Sequence, residues 1–405
     1  MIACCLINVC IGSVNAWSVF AGPMAAHLGQ VTGTELTIGN LIIVFTVANS
    51  IGPITMISGG KINDMFGPRN VLFIGGILFG GGMIISGFVK SVPMLIFSYG
   101  IISGLGIGLA YGCTISTAVK FFPDKRGLTG GIATAMYGLS SVLVPPIANI
   151  LISSKNVVFA FRTFGISFLI IVCGSSLFIE KCPDDFVPAG WIPKGNIHQR
   201  EQLVNKNWKE MLKEPVFYVM IALLMCGAFY GLMCISQASS LAQRIVGMSA
   251  FAAGTAVSVL ALFNAFGRIA AGSISDKIGR INTLTLACIL AIIGLGCLYF
   301  SAEGTVALFY TGISLVGVCF GSFMGVFPGF TADQFGSYNN SVNYGIMFIG
   351  FALAGYFGPT IMGAFYQTDG SYSKAFIAAI GLAVAGICLS VVYRILEKRM
   401  KEEPK

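Results

Sequence analysis

Charge is scarce in this sequence. Its 405 residues include only 16 Asp+Glu and 24 Lys+Arg, 10% of the chain, where a soluble domain carries about 25%. So few charged side chains cannot cover the surface of a water-soluble globule. Histidine is rarer still, at two residues, and none of the 12 cysteines forms a CxxC pair. No metal site, disulfide framework or cofactor is therefore expected, and the cysteines read as small packed hydrophobes. The formal charge of +8 comes without a basic stripe interleaved with aromatics, so it does not point to nucleic acid. A nucleophile–base pair and a paired-acid metal motif are missing too. The adjacent Asp184 and Asp185 stand without partners in a polar stretch, so the chain is not expected to be an enzyme.

What is abundant is apolar sequence, at 56% of residues, together with 52 glycines. A spanning helix needs about 20 mainly apolar residues. Twelve such runs lie near 2–22, 39–59, 70–89, 94–118, 128–151, 157–179, 216–236, 249–271, 282–300, 305–330, 343–366 and 374–394. The expected fold is an all-α polytopic membrane protein. The first run starts at Met1 without a basic region before it, so it reads as a helix and not as a signal peptide. Either a cytoplasmic amino-terminal tail is missing or the start is internal.

One long polar segment, 180–214, contains Pro183, Pro188 and Pro193. It reads as a cytoplasmic linker between a six-helix bundle over 1–179 and a second over 215–405, which ends in a short cytoplasmic tail. Within it, NWKEMLKEPVF suits a short surface helix ending at Pro215. Sorting basic residues by loop puts eighteen on the side of the 60–70, 119–127 and 272–281 loops, the linker and the tail. Five (Lys90, Lys155, Arg162, Arg244, Lys374) fall on the other side. That imbalance places the first set, and both termini, in the cytoplasm. Every acid is expected in a loop or tail, and Arg268 alone among Lys and Arg within a span.

The two halves repeat. GKINDMFGPR carries Gly60, Asp64, Gly67 and Arg69, and GSISDKIGR carries Gly272, Asp276, Lys277, Gly279 and Arg280. Gly60 and Gly272, Asp64 and Asp276, and Gly67 and Gly279 are each 212 residues apart. Such a loop makes a tight turn whose acid pairs with a neighbouring helix end or base and holds one conformation closed. The pair resembles the loop signature of the major facilitator superfamily. That resemblance implies two pseudo-symmetric six-helix bundles around a central site, with alternating access by rocking.

Closer likenesses lie in YGCTISTAVKFFPDKRGLTGGIATAMYGL (111–139, containing Arg126), KEMLKEPVFYV (209–219) and LFNAFGRIAAGSISDKIGR (262–280). These resemble the oxalate–formate antiporter family, which is related to monocarboxylate transporters. GSVNAWSVFAGP in the first span is a weaker match.

Arg268 is the informative residue. Eight positions before Asp276, it sits about 12 Å inside the helix end. Placing an arginine at a helix centre costs about 2.5–3.5 kcal/mol on insertion scales. The guanidinium stays charged, and its fork matches a carboxylate. The alternative is that it snorkels to the cytoplasmic surface. The resemblance implies that Arg268 anchors a substrate carboxylate. Asn264, one turn earlier, shares its face and can donate a further hydrogen bond.

The resemblance also implies cavity-facing hydroxyls at Tyr111 and Tyr137. Asn15 and Asn49 are further candidates, with Trp17 as an anchor near the outer interface. Oxalate-handling members carry a lysine in the eleventh span, and Phe351 stands at that position here. Phe320 and Met324 replace polar aromatics of the tenth span. One positive charge favours a monoanion over a dianion in a closed cavity.

Pro145, Pro146 and Pro359 are expected to bend the fifth and eleventh spans. The run GLGIGLAYG (104–112) contains GxG with no preceding strand, so close helix packing fits better than dinucleotide binding.

These readings predict a plasma-membrane secondary transporter of small organic anions, specifically monocarboxylates of the formate, lactate or pyruvate type. It would work by alternating access, as a monomer, with a counter-anion or a proton as coupling partner. The alternatives are an oxalate/formate exchanger and a major facilitator carrier for another small solute. A channel fits poorly with the repeat, and an exporter of cationic drugs fits poorly with a positive buried charge.

Overall fold

The computed structural model describes residues 1–183, 186–188 and 205–402. Asp184, Asp185, His198 and much of the expected linker lie outside the described residues. All regular secondary structure in the described residues is helical, and 12 helices are long and apolar enough to cross a membrane. In chain order they are α1 (Ile2–Thr32), α2 (Ile38–Phe66), α3 (Pro68–Ser86) and α4 (Val92–Phe121). Then come α5 (Arg126–Ser154), α6 (Val157–Ser176) and α7 (Pro215–Val246), followed by α8 (Ala250–Ile278). The last four are α9 (Arg280–Tyr299), α10 (Val306–Phe335), α11 (Asn340–Asp369) and α12 (Ser373–Glu402).

Each expected run underlies one of these helices, but most helices are longer. A hydropathy window stops at the first polar turn, whereas a helix continues until its backbone is ended. Thus α1 runs ten residues past the expected end and stops at Gly33, whose φ is 69°. For the same reason the acids are not confined to loops. Asp64, Asp276, Asp333 and Asp369 all lie in closing turns of helices.

Arg268 is likewise not the only base inside a span. Arg162 lies in α6, donates from Nε to the Gly87 carbonyl at 2.9 Å and stacks over Phe88 at 3.7 Å. It satisfies the end of α3 from nearby.

By internal contacts the chain forms two compact units. The first comprises Met1–Pro123, Met136–Asn205 and Gly336–Ile346. The second comprises Asp124–Ala135, Lys206–Phe335 and Met347–Lys405. Each unit thus takes about a dozen residues from the opposite half of the sequence: the start of α11 in the first, the start of α5 in the second.

Both units pack by letting helix backbones approach at small residues, as expected where lipid supplies no hydrophobic drive between helices. In the first unit, a Cβ on Gly104 would sit 2.9 Å from the Ala48 carbonyl. Gly106 and Gly108 similarly face Phe79 and Gly52. The GxG run therefore serves helix packing. Trp17 is buried with its ring 4.8 Å from that of Tyr99, so it is a core residue and no interfacial anchor.

The expected proline bends do not set the helix breaks. Helix α5 continues through Pro145 and Pro146, and α11 continues through Pro359. The interruption in α11 falls at Phe348, between Asn340–Met347 and Ile349–Asp369. Before α7, NWKEM forms a single helical turn, Trp208–Met211, that stops short of Pro215. Asn207 starts it by accepting from Glu210 N at 3.1 Å, while Glu210 accepts from Asn207 N at 2.7 Å. Pro215 begins α7 instead, in the first helical position where its missing N–H costs nothing.

Candidate functional site

Helix α8 begins at Ser249, whose hydroxyl accepts from Ala252 N at 3.3 Å, and carries Arg268 eighteen residues beyond Ala250. Its neighbour α10 presents glycines at four-residue intervals, Gly317, Gly321, Gly325 and Gly329. Four-residue spacing keeps them on one helix face. Added Cβ atoms at the first three would run into the carbonyls of Leu260, Asn264 and Arg268 in turn. Gly131 of α5 abuts the same Arg268 carbonyl. The backbone turn carrying Arg268 is therefore clamped from two helices.

The Arg268 side chain is 5% exposed, so it does not snorkel to the surface. Its Nε donates to Asn264 Oδ1 at 3.1 Å, and its NH1 donates to the Thr134 carbonyl at 2.6 Å. The Asn264 and Thr134 oxygens are neutral acceptors. Asn264, at 8% exposed, thus acts as an acceptor that orients the guanidinium. The Arg268 guanidinium carbon lies 5.9 Å from the Phe320 ring centre. Phe320 and Phe351 are 6.4 Å apart, and Phe351 stacks on Phe348 at 4.4 Å. Buried Met324 lies one turn beyond Phe320. The second unit therefore holds a fixed cation bordered by an aromatic wall. That geometry suits a small anion with an apolar body.

The remaining substrate candidates belong to the first unit. Tyr111 and Tyr137 are brought together there, with rings 4.7 Å apart. Asn15 is exposed on a 3₁₀ turn. Asn49 is also exposed, and its amide donates to the Phe45 carbonyl of its own helix at 2.9 Å.

The two motif loops turn at Gly67 (φ 89°) and Gly279 (φ 91°), a backbone region that only glycine enters without strain. In the first unit, Asp64 pairs with Lys120 at 2.8 Å and accepts from the Ser341 hydroxyl at 2.8 Å. Gly60 brings α2 against the Ser341 carbonyl, where a Cβ would sit 2.9 Å away. Arg69 turns away and donates to the Leu177 carbonyl at 2.9 Å.

In the second unit, Asp276 accepts from the backbone N–H groups of Gly127 and Leu128, each at 2.9 Å. It also pairs with Arg280 at 2.5 Å, while Gly272 abuts the Gly127 carbonyl. Asp333 then takes both Arg280, at 2.8 Å, and Arg126, at 3.0 Å. Lys277 is exposed.

Several of these partners escaped the sequence reading. Lys120 and Asp333 had a usable signal, since Lys120 shifted by the 212-residue repeat falls next to Asp333. Both are charges in the closing turns of equivalent helices. The Thr134 carbonyl had none, because a backbone acceptor leaves no mark on residue type.

Comparison with known proteins agrees with this architecture. The Major Facilitator Superfamily profile matches residues 3–359. The chain is 29% identical over 419 residues to the oxalate:formate antiporter of Oxalobacter formigenes, covering 99% of this chain and 92% of that protein. It is 29% identical over 357 residues to the Escherichia coli uncharacterized MFS-type transporter YhjX, covering 87% and 84%. Identity to monocarboxylate transporter 12 of Xenopus laevis is 24% over 426 residues, covering 100% and 90%. Among solved structures, the human organic anion transporter MFSD10 matches with a TM-score of 0.73 at 14% identity, over 96% and 97% of the two chains. At that identity it supports the fold alone. With twelve spanning helices, a repeated motif loop and a family match over most of its length, the chain is a multi-pass membrane transporter and no enzyme, and it belongs to the Major Facilitator Superfamily.

Proposed function

We propose that this transporter carries small monocarboxylates, of the formate, lactate or pyruvate type, with Arg268 as the carboxylate anchor. The observation that carries the proposal is a permanent cation held 5% exposed in a spanning helix and oriented by two neutral oxygens. A bound carboxylate offers that guanidinium a charge-assisted, bidentate partner. Phe320 and Phe351 beside it give the anion an apolar wall and no second charge. A monoanion then leaves the loaded site neutral, whereas a dianion leaves a negative charge buried.

Alternating access between the two sequence halves would expose this site to each side in turn. The coupling partner is a counter-anion or a proton carried with the substrate. The excess of basic residues on the motif-loop side supports a cytoplasmic location for both termini, in a protein read as a plasma-membrane monomer. Tyr111 and Tyr137 are the first unit's candidates for substrate hydroxyl contacts.

A second reading, oxalate/formate exchange, is favoured by the 29% identity to the Oxalobacter antiporter. Uptake of labelled lactate, formate and oxalate into proteoliposomes separates the two. The monocarboxylate reading expects lactate or formate uptake to exceed oxalate uptake, and equal or greater oxalate uptake defeats it. Arg268→Gln should abolish uptake of whichever acid is carried while the purified protein stays monodisperse.

A further inference from the structure

The second unit contains a cavity of about 300 Å³ that the Arg268 reading does not use. It is lined by Gln237, Arg244, Gly363, Tyr366, Gln367 and Tyr372. It lies where α7 and α11 end and α12 begins, beside the start of α8 and remote from the motif turn at Gly279. Arg268 is eighteen residues along α8, so about 27 Å of helix separates it from that end.

The lining is chemically one-sided. Arg244 supplies a permanent positive charge, Gln237 and Gln367 supply amide donors, and no acid is among the described residues that line the space. The nearest acid in sequence, Asp369, is paired with Lys374 at 3.0 Å. The arginine is also held in place. Its guanidinium carbon sits 4.2 Å from the Tyr366 ring centre, a cation–π stack that covers one face and leaves the fork edge to bind. Tyr366 in turn stacks on Tyr372 at 4.5 Å, and Tyr372 is 4% exposed. Arg244 is close enough for its charge to act on the Tyr372 phenol. The phenol O–H can donate to a guest. Burial raises the Tyr372 pKa, with the Arg244 charge opposing, which keeps that proton in place near neutrality.

A preset guanidinium fork, two amides and a phenol around a flat aromatic slot suit a planar carboxylate better than a tetrahedral anion of higher charge. The volume lies at the small end of ligand pockets, which limits the guest to a small organic acid. We propose that Arg244, Gln237, Gln367 and Tyr372 form a second site for a small carboxylate, filled before Arg268 is reached from that end. Such a site concentrates the anion at the mouth of its path.

The test uses the purified full chain in detergent, titrated calorimetrically with lactate, oxalate and inorganic phosphate, each alone. Arg268→Gln protein should still bind at least one carboxylate at one site per chain. Adding Arg244→Gln should remove that binding. Gln237→Leu, which keeps the charge, should weaken it by about tenfold, the loss of one hydrogen bond to a charged group. Phosphate should bind more weakly than the preferred carboxylate. In proteoliposomes, Arg244→Gln alone should raise KM several-fold and leave the maximal rate unchanged.

The site is refuted if Arg268→Gln protein binds neither carboxylate, if Arg244→Gln leaves its binding intact, or if phosphate binds more tightly. The outcome also separates the two arginines. Binding lost only with Arg244 sinks the Arg268 anchor, and binding lost only with Arg268 sinks this second site.

Discussion

The two motif loops have nearly the same sequence, 212 residues apart, and do the same job with different groups. In the first unit Asp64 holds the start of α11 through a side chain, the Ser341 hydroxyl. In the second, Asp276 holds the start of α5 through two backbone N–H groups. Helix starts present unsatisfied amides and a positive dipole end, so an acid is the natural partner in both.

The basic residues diverge further. Arg280 follows Asp276 by four positions and folds back onto it. Arg69 follows Asp64 by five, because Pro68 is inserted, and reaches the end of α6 instead. Lys120 fills the vacant role in the first unit. A motif therefore fixes which acid meets which helix, and a one-residue change in spacing reassigns the base.

The difference predicts unequal responses to the same substitution. Asp64→Ala should have the largest effect. Its carboxylate is 6% exposed, and removing it takes the counter-charge from Lys120 and one of three partners from the Ser341 hydroxyl. Breaking a buried pair from one side costs about 3 kcal/mol or more, read as a large drop in melting temperature in detergent. Asp276→Ala should cost less, about 2 kcal/mol, since its 15% exposure lets water reach the freed amides. If the second variant melts lower than the first, burial is not what ranks these acids.

Next in size is a substitution that only one unit can suffer. Ser341→Ala removes the hydroxyl that bridges Asp64, Asn63 and Ser116, with bonds of 2.8, 2.7 and 2.8 Å. It should cost about 1 to 2 kcal/mol. Thr129 stands at the matching position by the 212-residue shift, and Thr129→Ala should change melting little because Asp276 uses backbone there. Equal losses from the two would mean that the contrast between side-chain and backbone partners carries no energetic weight.

The contrast also marks what could be read from the sequence. The twelve spans, the repeat and the placing of Arg268 inside a span were legible, since all are patterns of residue type along the chain. That Asp64 and Asp276 would grip a helix start was legible as a class of contact. Which helix start was not, because Gly127 and Leu128 contribute only backbone amides. The same holds for the Arg268 site, where Asn264 was readable from i,i+4 spacing but Thr134 enters through its carbonyl. The break in α11 at Phe348 escaped for the opposite reason. Pro359, the local signal in this span, lies eleven residues away inside a continuous helix. Arg162 sorts with the loop bases by sequence because it lies near a helix end, where its side chain satisfies the neighbouring turn at Gly87.

The smallest expected effect tests Asp333, an acid in α10 where the equivalent helix of the first unit carries the base Lys120 one position earlier. Asp333 accepts from Arg280 and Arg126 but is 38% exposed. Water and salt screen both pairs, and exposed ion pairs are worth about 0–1 kcal/mol. Arg126→Gln removes one of the two and leaves Arg280 bridging Asp333 and Asp276, so it should lower stability by less than about 1 kcal/mol. Arg280→Gln removes partners from both acids at once, and its guanidinium is only 12% exposed. It should therefore cost clearly more than Arg126→Gln, and the gap should persist in high salt, which weakens the exposed Asp333 pairs that both variants lose more than the Asp276 pair. Melting curves of the two variants at low and high salt decide this. Equal losses at both ionic strengths would show that Arg280 acts through Asp333 alone, and that Asp276 depends on the backbone of α5 without help from the motif's own base.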